Sequence, residues 1–367
     1  MMDDMPAGDP RWRNCSGVGG HISVGSSAAL SGDAQIRDKT RALQMYADLL
    51  RATNLTHRLS NITYEGGQVV STLSALCALS ENLAAALTLR RLQSDPQYSG
   101  LIDAAVYQVV CSDATFGVEE EPLVMETLRA GALTPHDVCF RRVSCMRRLL
   151  VAIASTQAVL PACMLLTQIL REMHKSRNQW GVEPPPDHHL LTSLLDLITR
   201  TVVAEAQNKN NSMTTRAQLL EAAYNVAQLM LIDAKRLSNH QADDMRKKAI
   251  QPFLDEGDKE RAATLAEKFG ALELLVTLCI DTNDLERLYT YIDKYSDKGM
   301  ADLAFARLYE RGGKYRSSLV RDIAPRLPAP LRAWLQRAPE RLPLWAAAEL
   351  AGRRHGPAAA ALLQLAG

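Results

Sequence analysis

The stretch that decides the fold is LDEGDKERAATLAEKFGALELLVTLCIDTNDLERLYTYIDKYSDKGMADLAFARLYERGGKYRSSLV, residues 254–320. Its apolar residues recur every three or four positions, as on one face of an α-helix, in several short runs. Gly270 and Gly312 stand where glycine ends helices, and Asn283 with Glu286 predicts a capping box. Because a helix of about three turns cannot bury its apolar face alone, the pattern predicts helix pairs that stack on one another.

The rest of the chain favours the same fold class. Hydrophobic residues make up 47% of the 367 residues but aromatic residues only 5%, which suits helix-on-helix packing better than a sandwich or barrel. Alternating strand patterns are essentially absent. We therefore predict an all-α fold, an elongated, α-solenoid-like stack of antiparallel helix pairs. The other predicted helices are 35–53, 68–94, 98–112, 122–131, 135–159, 161–178, 188–208, 214–239 and 242–254.

Composition predicts four segments along the chain. Residues 1–34 are rich in Gly, Ser and Asp without periodicity, which indicates a disordered leader. Residues 35–178 form the first part of the predicted stack. Residues 179–187 contain three consecutive prolines, Pro184 to Pro186, and predict an extended linker. Residues 188–367 form the second part of the stack.

Charge and cysteine usage exclude several classes of protein. The 42 basic and 41 acidic residues nearly cancel, so the chain lacks the charge of a general nucleic-acid binder. The basic group Arg141, Arg142, Arg147 and Arg148 alternates with apolar residues, which predicts the solvated side of a core helix. Seven scattered cysteines, most of them in apolar runs, predict small core side chains in a reducing compartment.

Patterns for nucleotide, metal or catalytic sites fail at particular positions. Residues 20–27 approach P-loop spacing, but Ser26 stands where the lysine is required. Cys139 and Cys145 lie six positions apart on different helix faces, which does not suit a metal. His136 and His174 have no serine or cysteine nucleophile in a recognisable motif. We therefore expect no catalytic residue, cofactor, metal or small-molecule substrate.

One segment is long enough to cross a membrane. Residues 149–170 contain no charge over 22 positions. Polar residues 155–157 lie near the middle, however, and Pro161 interrupts the segment. Both features favour two buried helices divided at Pro161, and we expect no transmembrane segment.

Segment 254–320 resembles the C-terminal helical stack of the nucleoporin 133 family, structural members of the Y-shaped scaffold complex of the nuclear pore. The matching features are the Ala-Ala-x-Leu-Ala-Glu-Lys-aromatic run at Ala262–Phe269, the tyrosine rhythm of Tyr289–Tyr295, the run ending at Tyr309, and the turn Gly312-Gly313-Lys314. Weaker likenesses extend back to residue 35. They lie at 133–141, 83–90 and 41–60.

The resemblance implies a non-catalytic scaffold subunit of the nuclear pore complex at the nuclear envelope. Such a subunit would dock other scaffold nucleoporins, nucleoporin 107 foremost, and support pore assembly and the transport of protein and mRNA. The family also carries an N-terminal β-propeller, which nothing in this sequence matches, and a stack that continues further. Two alternatives remain open: a helical subunit of a vesicle coat or trafficking adaptor, and, from another class, an uncharacterised enzyme or RNA-binding protein.

A dense apolar group among prolines is the candidate partner interface. Its members are Trp334, Leu335, Leu342, Leu344 and Trp345. The tryptophans could cap the core of the last helices, because buried aromatic residues are usually core residues. Alternatively, part of the group faces nucleoporin 107, because interface anchors are often tryptophans and the resemblance implies a contact at this end.

Overall fold

The computed structural model describes residues 32–63, 67, 69–112, 126, 135, 143–181 and 187–366. By their internal contacts the residues form two compact units, Met1–Pro252 (unit 1) and Phe253–Gly367 (unit 2). Sixteen α-helices and a single two-stranded hairpin occur in this described part, so the all-α prediction is confirmed.

Unit 1 consists of long helices and the hairpin. The helices are α1 (Gly32–Thr53), α2 (Thr72–Gln93), α3 (Ser99–Cys111), α4 (Val143–Ala154), α5 (Val159–Asn178), α6 (His188–Gln207), α7 (Met213–Ala234) and α8 (Asn239–Asp255), which runs into unit 2. The antiparallel strands β1 (Asn61–Thr63) and β2 (Val69–Ser71) lie between α1 and α2. Ser71, Asp187 and Ser212 cap α2, α6 and α7 by accepting hydrogen bonds from backbone N–H groups of the first turn.

Helix α5 lies at the centre of unit 1, packed against α2, α4, α6 and α7, while α2 also contacts α1, α3 and α4. Three large apolar side chains of α5 are completely buried: Leu165, Leu166 and Ile169. Each of these helices therefore has its apolar face covered by several neighbours, which supplies most of the stabilisation of such helices.

A cluster of charged side chains crosses this core. Arg177 of α5 donates from Nε to Glu81 of α2, and its Nη1 lies 2.5 Å from Asp233 Oδ1 of α7. Arg147 of α4 donates to the second Glu81 oxygen at 2.8 Å. The Glu81 side chain is 0% exposed and that of Arg177 6%. Burial acts to lower the pKa of the Arg177 guanidinium, but the charges and hydrogen bonds of Asp233 and Glu81 raise it overall.

Unit 2 is built from shorter helices. They are α9 (Lys259–Phe269), α10 (Leu272–Thr282), α11 (Leu285–Lys294), α12 (Met300–Arg311), α13 (Gly313–Ser318), α14 (Pro328–Gln336), α15 (Leu342–Ala351) and α16 (His355–Ala366). Helix α10 packs against α9, α11 and α12, and further along α12 contacts α14, α14 contacts α15, and α15 contacts α16. A turn of π-helix (Leu319–Ile323) continues α13, and within it the Ala324 N–H donates to the Leu319 carbonyl five residues earlier.

The helix ends in unit 2 confirm a predicted glycine helix end and contradict a predicted capping box. Gly270 ends α9 in the left-handed region at φ 70°, as predicted. The capping box at Asn283 and Glu286 is wrong. Asn283 ends α10 at φ 55°, and Asp284 is the residue that caps α11, by accepting from the Arg287 N–H at 3.0 Å. Asn is one of the few residues that adopt the left-handed region readily, and Asp is an equally good N-cap.

The uncharged segment 149–170 forms parts of two helices. Its buried residues include Leu149, Ile153 and Leu166, which fits the predicted pair of core helices. The break between α4 and α5 falls at 155–158, and Pro161 lies in the first turn of α5, where its missing N–H costs no hydrogen bond. Among the described residues one helix, α2, has the length and composition of a membrane span, and 67% of its apolar window is buried, as is typical of a core helix.

Three of the sequence predictions fall wholly or partly outside the described residues. These are the leader, of which 32–34 belong to α1, the linker at 182–186, and the helices expected near 122–142. The division of the stack at 179–187 stays a prediction. Helices α5 and α6, on its two sides, pack together within unit 1.

The charged cluster generates a stability prediction. Arg177→Met removes the cation and leaves Glu81 and Asp233 buried without it, so we expect the free energy of unfolding to fall by about 3–5 kcal/mol. Urea denaturation followed by circular dichroism measures this change.

A matched control lies on the same helix. Lys175 pairs with Glu172, but its side chain is 70% exposed. Lys175→Met should therefore change stability by less than about 0.5 kcal/mol. Equal losses in the two variants would contradict a specific role for the Arg177 cluster.

Candidate interaction surface at the last helices

Trp334 of α14 lies in the core of unit 2. Trp334 is only 4% exposed. The rings of Phe305 and Tyr309 on α12 lie edge-on to it, with each ring centroid 5.9 Å from that of Trp334. The Arg341 guanidinium lies over the Trp334 ring, 3.8 Å from its centroid. Edge-on rings and a stacked cation satisfy the quadrupole of the indole, so Trp334 joins α12 to α14.

Trp345 of α15 is anchored by a buried carboxylate. It is 6% exposed, and its Nε1–H donates to Glu349 Oε1 at 3.3 Å. Glu349 is 1% exposed and also accepts from Arg332 Nε at 2.7 Å and from Arg354 Nε at 2.5 Å. Burial acts to raise the pKa of Glu349, but its hydrogen bonds and ion pairs with Arg354 and Arg332 outweigh burial and lower it. One acid thus ties α14 and the loop before α16 to α15.

The structure separates the five predicted interface residues. Trp334, Leu335 and Trp345 are buried within unit 2, whereas Leu342 and Leu344 are half-buried. This burial favours the core interpretation for the two tryptophans and Leu335. A partner contact through Leu342 and Leu344 stays a prediction.

Exposed leucines lie on the last two helices, beyond the tryptophans. Leu350 of α15 is 48% exposed, and Leu362 and Leu363 of α16 are 50% and 73% exposed. Helix α16 uses Ala358 and Ala361 to pack against α15, which leaves the two larger side chains outward. We call Leu350, Leu362 and Leu363 the terminal leucine surface. Its sequence signal is the apolar run at 360–366, which shows that leucines are present but not which side they face.

The other polar clusters of unit 2 join helices. Glu267 of α9 accepts from the Tyr291 hydroxyl at 2.6 Å and from Lys294 Nζ at 2.9 Å, both on α11. Burial acts to raise the pKa of Glu267, but these hydrogen bonds lower it overall. Burial and the Glu267 hydrogen bond raise the pKa of Tyr291 to about 12. No group of three metal-ligating side chains occurs in the part of the chain that the structure describes.

Trp345→Ala tests the core interpretation. Removing a buried indole leaves a cavity and takes one hydrogen-bond donor away from the buried Glu349, so we expect the free energy of unfolding to fall by about 3–5 kcal/mol in urea denaturation. Leu363→Ser, on the exposed side of α16, should change it by less than about 0.5 kcal/mol. Unchanged stability in Trp345→Ala would contradict the core role of this ring.

Glu349→Gln should show a pH-dependent cost. The pKa of Glu349 in the folded protein lies below the usual value of about 4.3, so the ionised acid stabilises the fold above that pH. The stability difference between wild type and Glu349→Gln should be largest near neutral pH and shrink as the pH falls below about 4. Urea denaturation at a series of pH values measures it, and a difference that grows on acidification would contradict the assignment.

Known proteins with similar sequences support the resemblance noted above. No family model matches the chain. It is 25% identical to the nuclear pore complex protein Nup133 of Mus musculus over 359 aligned positions, which cover 85% of this chain and 30% of the relative. The Homo sapiens protein of the same name is 23% identical with the same coverage, and the Drosophila melanogaster protein is 23% identical over 83% of this chain and 28% of its own length.

The match covers most of this chain but less than a third of each relative. It covers most of this chain and so reaches into both units, yet the chain spans less than a third of the length of these relatives. The resemblance first carried by residues 254–320 therefore extends over most of the helices described above. The chain is similar in sequence to the Nup133 nuclear pore complex proteins.

Proposed function

We propose that this chain is a non-catalytic structural subunit of the nuclear pore complex at the nuclear envelope. The observation that carries the proposal is the similarity to proteins named Nup133 along 83–85% of the chain. The all-α fold, in which each helix covers its neighbours, agrees with a part that holds other proteins rather than transforming a substrate. In this role it would support pore assembly and the transport of protein and mRNA.

The chemistry of the described side chains supports a non-catalytic role. Burial together with Glu81 raises the pKa of the Cys77 thiol to about 12, and burial raises the pKa of Cys163 and Cys279 to about 11. Such thiols remain protonated at neutral pH and are poor nucleophiles. Glu81, Glu267 and Glu349, the acids discussed above, are each held by hydrogen bonds to arginine, lysine or tyrosine.

The proposed docking partner is another scaffold nucleoporin, nucleoporin 107 foremost. Exposed apolar side chains on a helix pair are the usual core of a protein interface, and the terminal leucine surface provides three of them. Leu342 and Leu344 are half-buried residues of helix α15, and we include them in the proposed contact. A vesicle-coat role is disfavoured because the relatives reported above carry pore names.

A tagged chain tests the role and the surface together. The wild-type protein should co-localise with pore markers at the nuclear rim and capture purified nucleoporin 107. The double change Leu362→Ser and Leu363→Ser should weaken that capture about thirtyfold, the effect of losing roughly 2 kcal/mol from an interface anchor. Both leucines are exposed, so the helical circular dichroism spectrum and melting temperature should remain unchanged.

Met45→Ser is the control for surface apolarity. Met45 lies on α1 of unit 1 and is 65% exposed, so this change also removes an exposed apolar side chain. Capture should remain at the wild-type level. Wild-type protein on cytoplasmic vesicles would contradict the pore role. Capture that survives the double leucine change would contradict the surface while leaving the pore role standing.

A further inference from the structure

A pocket of about 320 Å³ lies between the beginning of α1 and the end of α2. Its lining residues are Arg37, Leu87, Arg90, Arg91, Gln93 and Ser94. Three of these six side chains are arginines and none is acidic, in a chain whose charges otherwise nearly cancel. The pocket is therefore a local concentration of positive charge in a recessed site.

The arginines differ in how they are held. Arg90 is half-buried and donates to Gln93 Oε1 at 2.8 Å, while Gln93 donates to Asp103 Oδ1 at 2.6 Å. This chain of contacts orients one guanidinium at the pocket. Arg37 and Arg91 are exposed, and within the described residues neither forms an ion pair. Both side chains are therefore accessible to a ligand.

The helix dipole explains the presence of only two of the three pocket arginines. Arg90 and Arg91 lie in the last turn of α2, where cations compensate the unpaired backbone carbonyls. Arg37 comes from the second turn of a different helix, α1, where the macrodipole gives a cation no such advantage. Its presence beside the other two is the feature that points to an anion.

We propose that this pocket binds a single phosphoryl group carried by a phosphorylated serine or threonine of a partner protein. Guanidinium forks match phosphate oxygens in bidentate geometry, and several arginines around one dianion are a common arrangement for phosphorylated segments. Leu87 supplies an apolar contact for the carbon atoms that carry the phosphate. A volume of about 320 Å³ has room for the modified side chain and part of its backbone.

A single phosphoryl group fits this site better than a nucleic acid. A nucleic-acid strand needs a track of basic residues along its backbone and usually aromatic residues for stacking. No aromatic side chain lines the pocket, and its three arginines gather around one recess instead of forming a track.

The test uses a fluorescein-labelled peptide with one central phosphoserine among alanines, and the same peptide without phosphate. In fluorescence anisotropy at low ionic strength, the wild-type protein should bind the phosphopeptide, and inorganic phosphate should displace it. Arg37→Gln and Arg91→Gln should each weaken binding about tenfold, since each removes a charge-assisted hydrogen-bond donor. Because both residues are exposed, the melting temperatures of these variants should match that of the wild type.

Arg58→Gln is the matched control. It removes the same charge from an exposed position of unit 1 that does not line the pocket, so binding should be unchanged. Equal binding of the two peptides, or an equal loss in Arg58→Gln and Arg37→Gln, would overturn the proposal. It would also be overturned if vesicles containing phosphatidylinositol phosphate, or a uridine RNA oligomer, bound in an Arg37-dependent manner while the phosphopeptide did not bind.

Discussion

The arrangement of unit 1 depends on one guanidinium held between two carboxylates in the core. Arg177 of α5 contacts Glu81 of α2 and Asp233 of α7, Arg147 of α4 also pairs with Glu81, and Arg236 lies 3.6 Å from Asp233. Each of these charges would be very unfavourable in the core alone. The four helices therefore have to pack in the one arrangement that brings the charges together, whereas leucine and alanine faces alone would accept several similar arrangements.

Unit 2 also uses polar side-chain contacts to fix the packing of its helices, which are shorter than those of unit 1. Its helices are too short to be stable alone, and two of the contacts between them are reinforced by a buried or half-buried acid: Glu267 joins α9 to α11, and Glu349 joins α14 to α15. These contacts are side-chain hydrogen bonds from arginine, lysine and tyrosine. They give these two pairs of helices a defined spacing.

The features that could be predicted from the sequence are the local ones. Periodicity predicts the helices, and the glycine at 270 predicts the end of α9, because both depend on neighbouring residues. The capping box predicted at Asn283 is wrong because Asn283 and Asp284 stand together and either could cap a helix. Glu81 could not be paired with Arg177, since 96 positions separate them. The exposure of Leu362 and the burial of Trp345 depend on how α15 and α16 pack, which periodicity in so short and alanine-rich a segment does not reveal.

The π turn after α13 has a consequence for length variation. Between Leu319 and Ala324 the helix contains one residue more per hydrogen-bonded turn than an α-helix does. A related chain that lacked one residue here would close the turn with ordinary α geometry and keep the direction of the helices that follow. The same deletion inside a regular helix such as α10 would rotate every later side chain by about 100° and move its apolar face away from its neighbours. Single-residue deletions during evolution should therefore be tolerated at this turn and selected against in α10.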